Sequence, residues 1–227
     1  MRDANYNDEN QPLLIDLHVH TYPKSDDSFM GVDDLIVAAK AVGLDGVCLT
    51  EHDAFWPLEE VDALSRRHNF LVLAGSEINT DTGHVLVFGL KRYLFGLHKP
   101  PFLRAAVKKE RAVVIAAHPY RLRFLEEAGK HLAARAEMLE RASGDRIFEF
   151  CDAIETVNGR GTSLENRFSH DLSVLLAAKM TGGSDAHRVE QLGTAATWFQ
   201  LPIHGLDDLI RELREGRFKA MDLRDGN

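Results

Sequence analysis

The sequence is poor in cysteine, and this shortage excludes a disulfide-stabilised scaffold. It contains two cysteines in 227 residues, too few for the disulfide framework of a small secreted domain. Cys48 and Cys151 each fall in a predicted buried strand, where a free thiol behaves as a small hydrophobic side chain. A reducing, cytoplasmic compartment is therefore expected.

Long apolar runs are also missing. No stretch of about 18 apolar residues occurs, so the sequence predicts no membrane-spanning helix. The first ten residues are polar and carry three acids, which is unlike the basic and then apolar pattern of a signal peptide. We therefore expect a protein that is neither embedded in a membrane nor secreted.

Basic residues are outnumbered, since 27 Lys and Arg stand against 35 Asp and Glu for a formal net charge of -8. Affinity for a phosphate backbone comes mainly from clustered Lys and Arg, so no long nucleic-acid partner is expected. A small phosphorylated substrate is still compatible with this charge, because bound metal cations can supply a local positive potential. Nothing in the sequence indicates the oligomeric state.

The chain has no internal repeat, low-complexity tract or Gly/Ser linker that would divide it. It is 44% hydrophobic and 27% charged, which is the balance of a globular protein. We predict one domain over residues 13–227, preceded by a polar N-terminal extension over residues 1–12.

Apolar runs of strand length alternate with longer segments of helical periodicity, a pattern typical of βα units that feed a parallel sheet. The predicted strands are Leu13–Leu17, Gly46–Thr50, Phe70–Ser76, His84–Gly89, Val113–Ala117, Ala153–Val157, Met180–Gly182 and Thr194–Gln200. The predicted helices are Val32–Val42, Pro57–His68, Phe102–Glu110, Leu122–Ala142, Leu164–Lys179 and Leu206–Arg214. Six or seven such units predict an α/β barrel, although an open doubly wound sheet of similar size gives nearly the same pattern.

Histidines cluster at the ends of the predicted strands. Six of the eleven histidines lie there, together with Glu77 and Asp185; these histidines are His18, His20, His52, His84, His118 and His187. The i, i+2 pairs His18–His20 and Asp185–His187 put both side chains on one face of a strand. Ligands of parallel α/β folds gather at the carboxyl ends of the strands, so we expect these side chains to meet. The other five are predicted to be surface residues: His68, His98, His131, His170 and His204.

The composition of this set indicates metal binding. Imidazoles and carboxylates without cysteine suit zinc, manganese or iron better than a structural zinc bound by thiolates. Seven to nine ligands exceed what one tetrahedral ion needs, so two or three divalent metal ions are expected, with Glu77 as a bridging ligand. Closely spaced metals suit phosphoryl transfer, since one can activate a water while another neutralises developing charge.

These segments resemble the polymerase and histidinol phosphatase (PHP) family. The resemblance runs from about Leu13 to His187 and rests on Asp16-Leu-His-Val-His-Thr21, Thr50-Glu-His-Asp53, Glu77, Gly83-His84, Ala117-His-Pro119 and Ser184-Asp-Ala-His187. It implies a distorted (β/α)7 barrel with up to three metals. By this resemblance His18, His20, Glu77 and Asp185 would bind one ion, Glu77 with His84 and His118 a second, and His52 with His187 and an early aspartate a third.

Two acidic positions leave alternatives open. The early aspartate is Asp26 or Asp27, and counting back from the helix start at Val32-Asp33-Asp34-Leu35, where the family often has Pro-Glu-Glu-Leu, favours Asp27. Glu51 stands where the family more often has an aspartate. It either orients His52 or His20, as carboxylates next to ligating imidazoles do, or it is a surface acid at a strand end.

A phosphoester needs cations around its non-bridging oxygens, and the planar guanidinium of arginine can bind two of them. Arg121 is the first candidate because it follows His118 at the same strand end. Arg160, between two glycines, is the second and Arg188 the third, while each could instead be a surface arginine paired with an acid. Lys24 could reach a phosphate or only solvate its loop.

Three functions follow. The first is hydrolysis of a small phosphate ester, a phosphomonoester or a nucleotide, by a metal-bound hydroxide, with Arg121 and Arg160 stabilising the transition state. His187 or a metal-bound water would protonate the leaving oxygen. The second is hydrolysis of a carboxylic ester or an amide at the same site. The third is a non-catalytic PHP-like module that binds metal.

Overall fold

Strands and helices alternate along most of the chain. The structure is a computed structural model that describes residues 11–224, so residues 1–10 of the predicted extension lie outside the described residues. The strands are β1 (Leu13–Val19), β2 (Gly46–Leu49), β3 (Leu71–Ala74), β4 (Ser76–Thr80), β5 (Gly83–Phe88), β6 (Val113–Ala116), β7 (Ala153–Asn158), β8 (Lys179–Gly183), β9 (Ala195–Phe199) and β10 (Phe218–Asp222). The helices are α1 (Val32–Ala41), α2 (Leu58–His68), α3 (Pro100–Glu110), α4 (Glu126–Lys130), α5 (Leu132–Ser143), α6 (Ser163–Leu175) and α7 (Leu206–Glu215). Within residues 11–224 no helix has the length and apolar character that crossing a membrane requires.

The strands form two five-stranded sheets, in the orders β10-β9-β1-β2-β3 and β4-β5-β6-β7-β8. The pairs β1/β2, β2/β3, β6/β7 and β7/β8 are parallel, as the alternation of strands and helices predicts. The pairs β1/β9, β9/β10, β4/β5 and β5/β6 are antiparallel. The fold is therefore mixed α/β, and the described residues form no closed barrel of seven parallel βα units.

The two sheets approach each other at two seams. Isolated parallel bridges join Val19 to Ala186 on one side and His52 to Glu77 on the other. Backbone hydrogen bonds reinforce both, from Asp185 N to His18 O at 2.8 Å and from Glu77 N to Glu51 O at 3.0 Å. Both seams thus lie where candidate metal ligands were predicted.

The main core lies between the two sheets. It contains side chains from both, among them Leu17, Cys48, Phe88, Ile115 and Phe199, each fully buried. Every residue of β2 and of β6 is buried, which explains why these strands read as unbroken apolar runs. The core therefore packs the sheets together below the carboxyl ends of their parallel strands.

Two predicted elements are divided in the structure. The predicted strand Phe70–Ser76 breaks at Gly75, where the chain passes against the ring of Phe88, and β4 then begins a new sheet. The predicted helix Leu122–Ala142 becomes α4 and α5, separated at His131, whose backbone is extended with φ -129° and ψ 123°. The start of that prediction was wrong as well, because Leu122 has a φ of +60°.

The structure also differs from the sequence prediction at Cys151 and at strand β10. Cys48 is buried in β2 as predicted, whereas Cys151 is partly buried and precedes β7. Strand β10 was not predicted, because its residues are at most half-buried and carry no strong apolar signal. It is stabilised by antiparallel pairing with β9 over five residues, from Phe218 to Asp222.

Gly75 gives a test of this packing. A Cβ at this position would lie 2.7 Å from a ring carbon of Phe88 and 3.0 Å from Thr50 Cγ2. We expect Gly75→Ala to lower the free energy of unfolding by about 1–3 kcal/mol, the usual cost of overpacking a core. Urea denaturation measures this loss. Gly144→Ala is the matched control, because the nearest atom to its added Cβ is at 3.6 Å; equal losses for the two variants would contradict this account.

Candidate metal centre

Strand β1 and the residue that follows it place two histidines on one face, as the i, i+2 spacing predicts. His18 and His20 are fully buried, and their Nε2 atoms lie 3.0 Å apart. The opposite nitrogen of each ring faces another group. Nδ1 of His18 lies 3.0 Å from Oε1 of Glu155, and Nδ1 of His20 lies 3.3 Å from Oγ of Ser25. Both Nε2 atoms therefore point to the interior of the site.

Glu77, at the start of β4, lies in the middle of the histidines and is 1% exposed. Its Oε1 lies 2.9 Å from Nδ1 of His84 and 3.0 Å from Nε2 of His118. Its Oε2 lies 2.9 Å from Nδ1 of His52 and within 3.5 Å of the two Nε2 atoms of the β1 pair. One carboxylate thus faces five imidazoles, which come from both sheets.

Asp185 follows β8 and brings a second carboxylate to the same space. It is 1% exposed and has a left-handed backbone, with φ +56°. Its Oδ1 lies 3.5 Å from Nε2 of His20 and 3.7 Å from that of His18, and its Oδ2 lies 3.7 Å from Nε2 of His118. Backbone strain of this kind collects at functional sites, where the surrounding structure maintains it.

A third group lies toward the solvent. The carboxylate of Asp27 is half-exposed, and its Oδ2 lies 3.3 Å from Nε2 of His52 and 3.0 Å from Nε2 of His187. The ring of His187 also packs against that of His20, with centroids 4.3 Å apart. Of the two early aspartates, Asp27 is therefore the one that the structure brings to these histidines, while Asp26 is exposed.

The electrostatics of the site keep its carboxylates charged. Burial opposes ionisation of Glu77 and of Asp185, yet the neighbouring histidines, His18 first, lower the pKa of both. Burial also disfavours a charged His18, but Glu155, Asp185 and Glu77 raise its pKa well above its ordinary value. For His20 burial dominates and lowers the pKa to about 4. The interior thus combines anionic oxygens with a neutral imidazole, both of which bind cations.

The donor set fits divalent metal ions. Four groups of three side chains have ligand atoms within 4.8 Å of one another: His18, His20 and Glu77; His18, His118 and Asp185; Glu77, His84 and His118; and His20, His52 and His187. The buried Oε2 of Glu77 accepts no hydrogen bond from the described residues. An anionic oxygen that is buried without a donor is expected to have a cation as partner. Imidazole and carboxylate donors without thiolate suit zinc, manganese or iron.

Glu51 supports the loop that carries Asp27. It is fully buried, so the surface interpretation of this residue is wrong. Its carboxylate accepts hydrogen bonds from Thr21 N at 2.8 Å, Ser25 Oγ at 2.6 Å and Trp56 Nε1 at 2.8 Å. Because Oγ of Ser25 also lies 3.3 Å from Nδ1 of His20, Glu51 acts on that imidazole through one hydroxyl.

Two arginines lie beside the carboxylate of Asp185, which follows β8. Nη1 of Arg121 lies 3.2 Å from Oδ2 of Asp185, and Nη1 of Arg160 lies 3.5 Å from Oδ1. Arg188 and Lys24 instead lie over aromatic rings, Arg188 at 4.1 Å from the centroid of Phe29 and Lys24 over Trp56. Of the four cations that the sequence suggested, the structure therefore brings Arg121 and Arg160 to the carboxylates.

The sequence analysis missed the buried polar groups behind the candidate ligands. Asp16 is fully buried and accepts from the backbone N of His18 at 3.1 Å and of Ser184 at 2.9 Å. Burial raises the pKa of Asp16 to about 7. Glu155 on β7 is buried next to Nδ1 of His18. The available signal was an acid inside an apolar run, in Leu-Ile-Asp16-Leu and in Ala-Ile-Glu155-Thr-Val.

Comparison with known proteins supports this picture. The model of the PHP domain matches residues 16–152, and a model described as PHP-associated matches residues 164–218. An uncharacterized protein of Methanocaldococcus jannaschii is 27% identical over 156 residues, which are 64% of this chain and 82% of that protein.

Solved structures show a similar fold. A lesion-specific endonuclease from Pyrococcus furiosus superposes with a TM-score of 0.58 at 16% identity, over 93% of this chain and 58% of that chain. An amidohydrolase from Chromobacterium violaceum, with bound sulfate and no metal, superposes with a TM-score of 0.56 at 19% identity, over 90% of this chain and 96% of that chain. At these identities the likeness shows the fold alone.

Removal of the central carboxylate tests the metal centre. Purified chain that is stripped with a chelator and then dialysed against Mn²⁺ or Zn²⁺ should retain more than one equivalent, and its melting temperature should rise with metal concentration. Glu77→Gln should retain fewer equivalents and show a smaller rise, because one anionic ligand shared by several groups is lost. Elemental analysis and thermal unfolding measure the two effects.

The matched control is Glu59→Gln, a surface glutamate of α2. This variant should bind metal as the wild-type chain does. Retention of less than one equivalent by the wild-type chain, or equal retention by Glu77→Gln, would contradict the assignment of Glu77.

Proposed function

The chain belongs to the PHP family, and from this premise we propose that it is a phosphoesterase that hydrolyses a small phosphate ester with the help of bound metal ions. The family and the structural neighbours support a metal-dependent hydrolase. The observation that carries the choice of a phosphoester is the pair of arginines, Arg121 and Arg160, beside the buried carboxylate of Asp185. A guanidinium can bind two non-bridging phosphate oxygens at once, a geometry that an uncharged ester does not need.

Two or three ions of manganese, zinc or iron would be held by the described ligand groups. His18, His20, Glu77 and Asp185 would bind one ion, Glu77, His84 and His118 a second, and Asp27, His52 and His187 a third. Such ions lower the pKa of a coordinated water and neutralise charge on the phosphoryl group. Glu77 would contribute to more than one of these groups, because its two oxygens face different histidines.

The two arginines would orient the phosphoryl group. Arg121 is 18% exposed and Arg160 is 36% exposed in their side chains, so both are accessible from the solvent side of Asp185. On substrate binding they would exchange part of their contact with Asp185 for the phosphate oxygens. The same charges would then stabilise the additional negative charge of the transition state.

His187 is better suited to bind a cation than to transfer a proton. Its Nδ1 lies 2.9 Å from the carbonyl oxygen of Asp185, to which it can donate, and its Nε2 lies 3.0 Å from Asp27. Donation to that carbonyl oxygen favours the tautomer that leaves a lone pair on Nε2, although Nη1 of Arg160 also lies 3.1 Å from Nδ1. We therefore assign His187 to the third ligand group.

A pocket of about 310 Å³ adjoins the site on the side of His84 and His118. It is lined by these two histidines, by Arg121 and Arg123, by the polar residues Asn79 and Thr82, and by the apolar side chains of Leu122 and Ile147, among others. Its volume is at the lower end of ligand pockets. It would hold the remainder of a small substrate, and Arg123 offers a cation to a second anionic group there.

Hydrolysis of a carboxylic ester or an amide is the second candidate, favoured by the likeness to an amidohydrolase. The same metal site would serve for it, because activated water does not by itself select an electrophile. The arginines discriminate between the two candidates. A non-catalytic metal-binding module would show metal binding without turnover of either class.

The first activity test removes the arginine pair. Metal-loaded wild-type protein should hydrolyse p-nitrophenyl phosphate or a nucleotide. Arg121→Ala and Arg160→Ala should each lower kcat/KM by about 10- to 100-fold, the equivalent of one charge-assisted hydrogen bond. Arg141→Ala is the control, since Arg141 is an exposed residue of α5 and 3.8 Å from its partner Glu137. No phosphatase activity with any metal, or turnover of p-nitrophenyl acetate that the two variants retain in full, would refute the proposal.

The second activity test concerns the pocket. Nη2 of Arg123 is 3.8 Å from its partner Asp145, so its charge is only loosely compensated. Arg123→Ala should raise KM about tenfold for a phosphoester with a second phosphate or carboxylate and leave KM for p-nitrophenyl phosphate unchanged. Steady-state kinetics on both substrates, with Arg141→Ala as control, measure the difference between the two KM changes. Equal effects on the two substrates would contradict a second anion site.

A further inference from the structure

We propose that Glu155 is a positioning residue for the candidate metal centre. Its carboxylate contacts the side chain of one candidate ligand, His18, and the backbone of a second, His118. Glu155 is 1% exposed and lies on β7. No residue of this strand belongs to any of the four candidate ligand groups. The inference rests on the proposed metal centre and adds a residue that neither the sequence motifs nor the ligand groups contain.

The first contact sets the tautomer of His18. Oε1 of Glu155 lies 3.0 Å from Nδ1 of His18, and a carboxylate in this position accepts the Nδ1 proton. The lone pair of the ring is then on Nε2, the atom that faces His20, Glu77 and Asp185. A ligating imidazole that donates its other N–H to a carboxylate is also a stronger ligand.

The second contact stabilises a strained backbone. Oε2 of Glu155 accepts a hydrogen bond of 2.9 Å from the backbone N of His118. His118 has a φ of +27°, in a region that non-glycine residues rarely adopt, and such a conformation persists only where other contacts maintain it. The direction of the His118 ring toward Glu77 therefore depends on this hydrogen bond.

A third contact reaches the second carboxylate. Nδ2 of Asn158 donates to Oε2 of Glu155 at 3.0 Å and to Oδ2 of Asp185 at 3.4 Å. Glu155 is thus connected to three candidate ligands, namely His18 on β1, His118 after β6 and Asp185 after β8. These three form one of the groups with ligand atoms within 4.8 Å of one another.

The surroundings are packed closely around this carboxylate. A Cβ at Gly183 would lie 2.8 Å from Oε1 of Glu155 and 2.5 Å from Cβ of His18. Only glycine fits at this position of β8. Because Gly183 has no side chain, the carboxylate of Glu155 on the neighbouring strand β7 has room there. A shorter acid on β7 could not reach both His18 and the backbone of His118.

The test compares metal binding by Glu155→Gln and by the wild-type chain. The glutamine keeps the shape and only one acceptor, so its NH2 group must face either the backbone N of His118 or Nδ1 of His18, and one of the two contacts of Glu155 is lost in either orientation. We expect affinity for Zn²⁺ or Mn²⁺ at one site to fall by about 10- to 100-fold, so that the variant retains about one equivalent fewer after dialysis. The absorption spectrum of the Co²⁺-loaded protein should change as well, because the geometry of a bound ion changes.

Glu212→Gln is the matched control. Glu212 is also a fully buried glutamate, but it lies on α7 and pairs with Arg211 and Arg217. This variant can lose stability, while its metal content and Co²⁺ spectrum should match those of the wild-type chain. If Glu155→Gln does not fold, Asn158→Ala provides the measurement, with an expected loss of affinity of about 10-fold, because its amide donates to two carboxylates.

The outcomes separate this inference from the proposed function. Unchanged stoichiometry, affinity and Co²⁺ spectrum in the folded Glu155→Gln protein, or unchanged affinity in Asn158→Ala, would overturn the role of Glu155 and leave the phosphoesterase proposal intact. A wild-type chain that binds none of these ions would overturn both. Metal binding without phosphatase activity would overturn only the proposed function.

Discussion

A negative charge with almost no access to water organises this molecule. Burying the carboxylate of Glu77 costs several kcal/mol unless opposite charges or donors surround it. Five imidazoles lie at 2.9–3.5 Å from its oxygens, and Oε2 still accepts no hydrogen bond from the described residues. Those imidazoles come from residues within and just after strands of both sheets. The arrangement of the strand ends and the composition of the site therefore have one physical cause, the compensation of buried anions by groups that can also bind cations.

The parts of the site that were predictable from sequence are those set by local geometry. The spacing of His18 and His20 puts two imidazoles on one face of any strand. The same expectation was wrong for Asp185 and His187, because β8 ends at Gly183 and Asp185 has a left-handed backbone. Comparison of the start of α1 with that of the family selected Asp27, whose Oδ2 lies 3.3 Å from Nε2 of His52. The inference for His18 and His20 needs only the period of a strand, whereas that for Asp27 also needs the family's pattern at the helix start.

Other features depend on contacts between distant segments, which no local pattern reveals. The break at Gly75 comes from the ring of Phe88, 13 residues later in the chain, and it separates two sheets where one run of strand was expected. The antiparallel pairs around β5 and β9 replace the uniform parallel order of a barrel. Glu155 is 137 residues from the histidine that it contacts, so the sequence alone shows only an isolated acid within an apolar strand.

Metal binding at the seams between the two sheets would also affect how the sheets are held together. At the ends of the parallel strands the halves of the molecule are linked by single-pair bridges, Val19 to Ala186 and His52 to Glu77. The proposed ligands on β1 and after β2 belong to one half, and those on β4, β5 and after β6 and β8 to the other. Cations bound by ligands from both halves would link the two halves at these seams. An agent that withdraws them would then loosen the architecture itself as well as stop turnover.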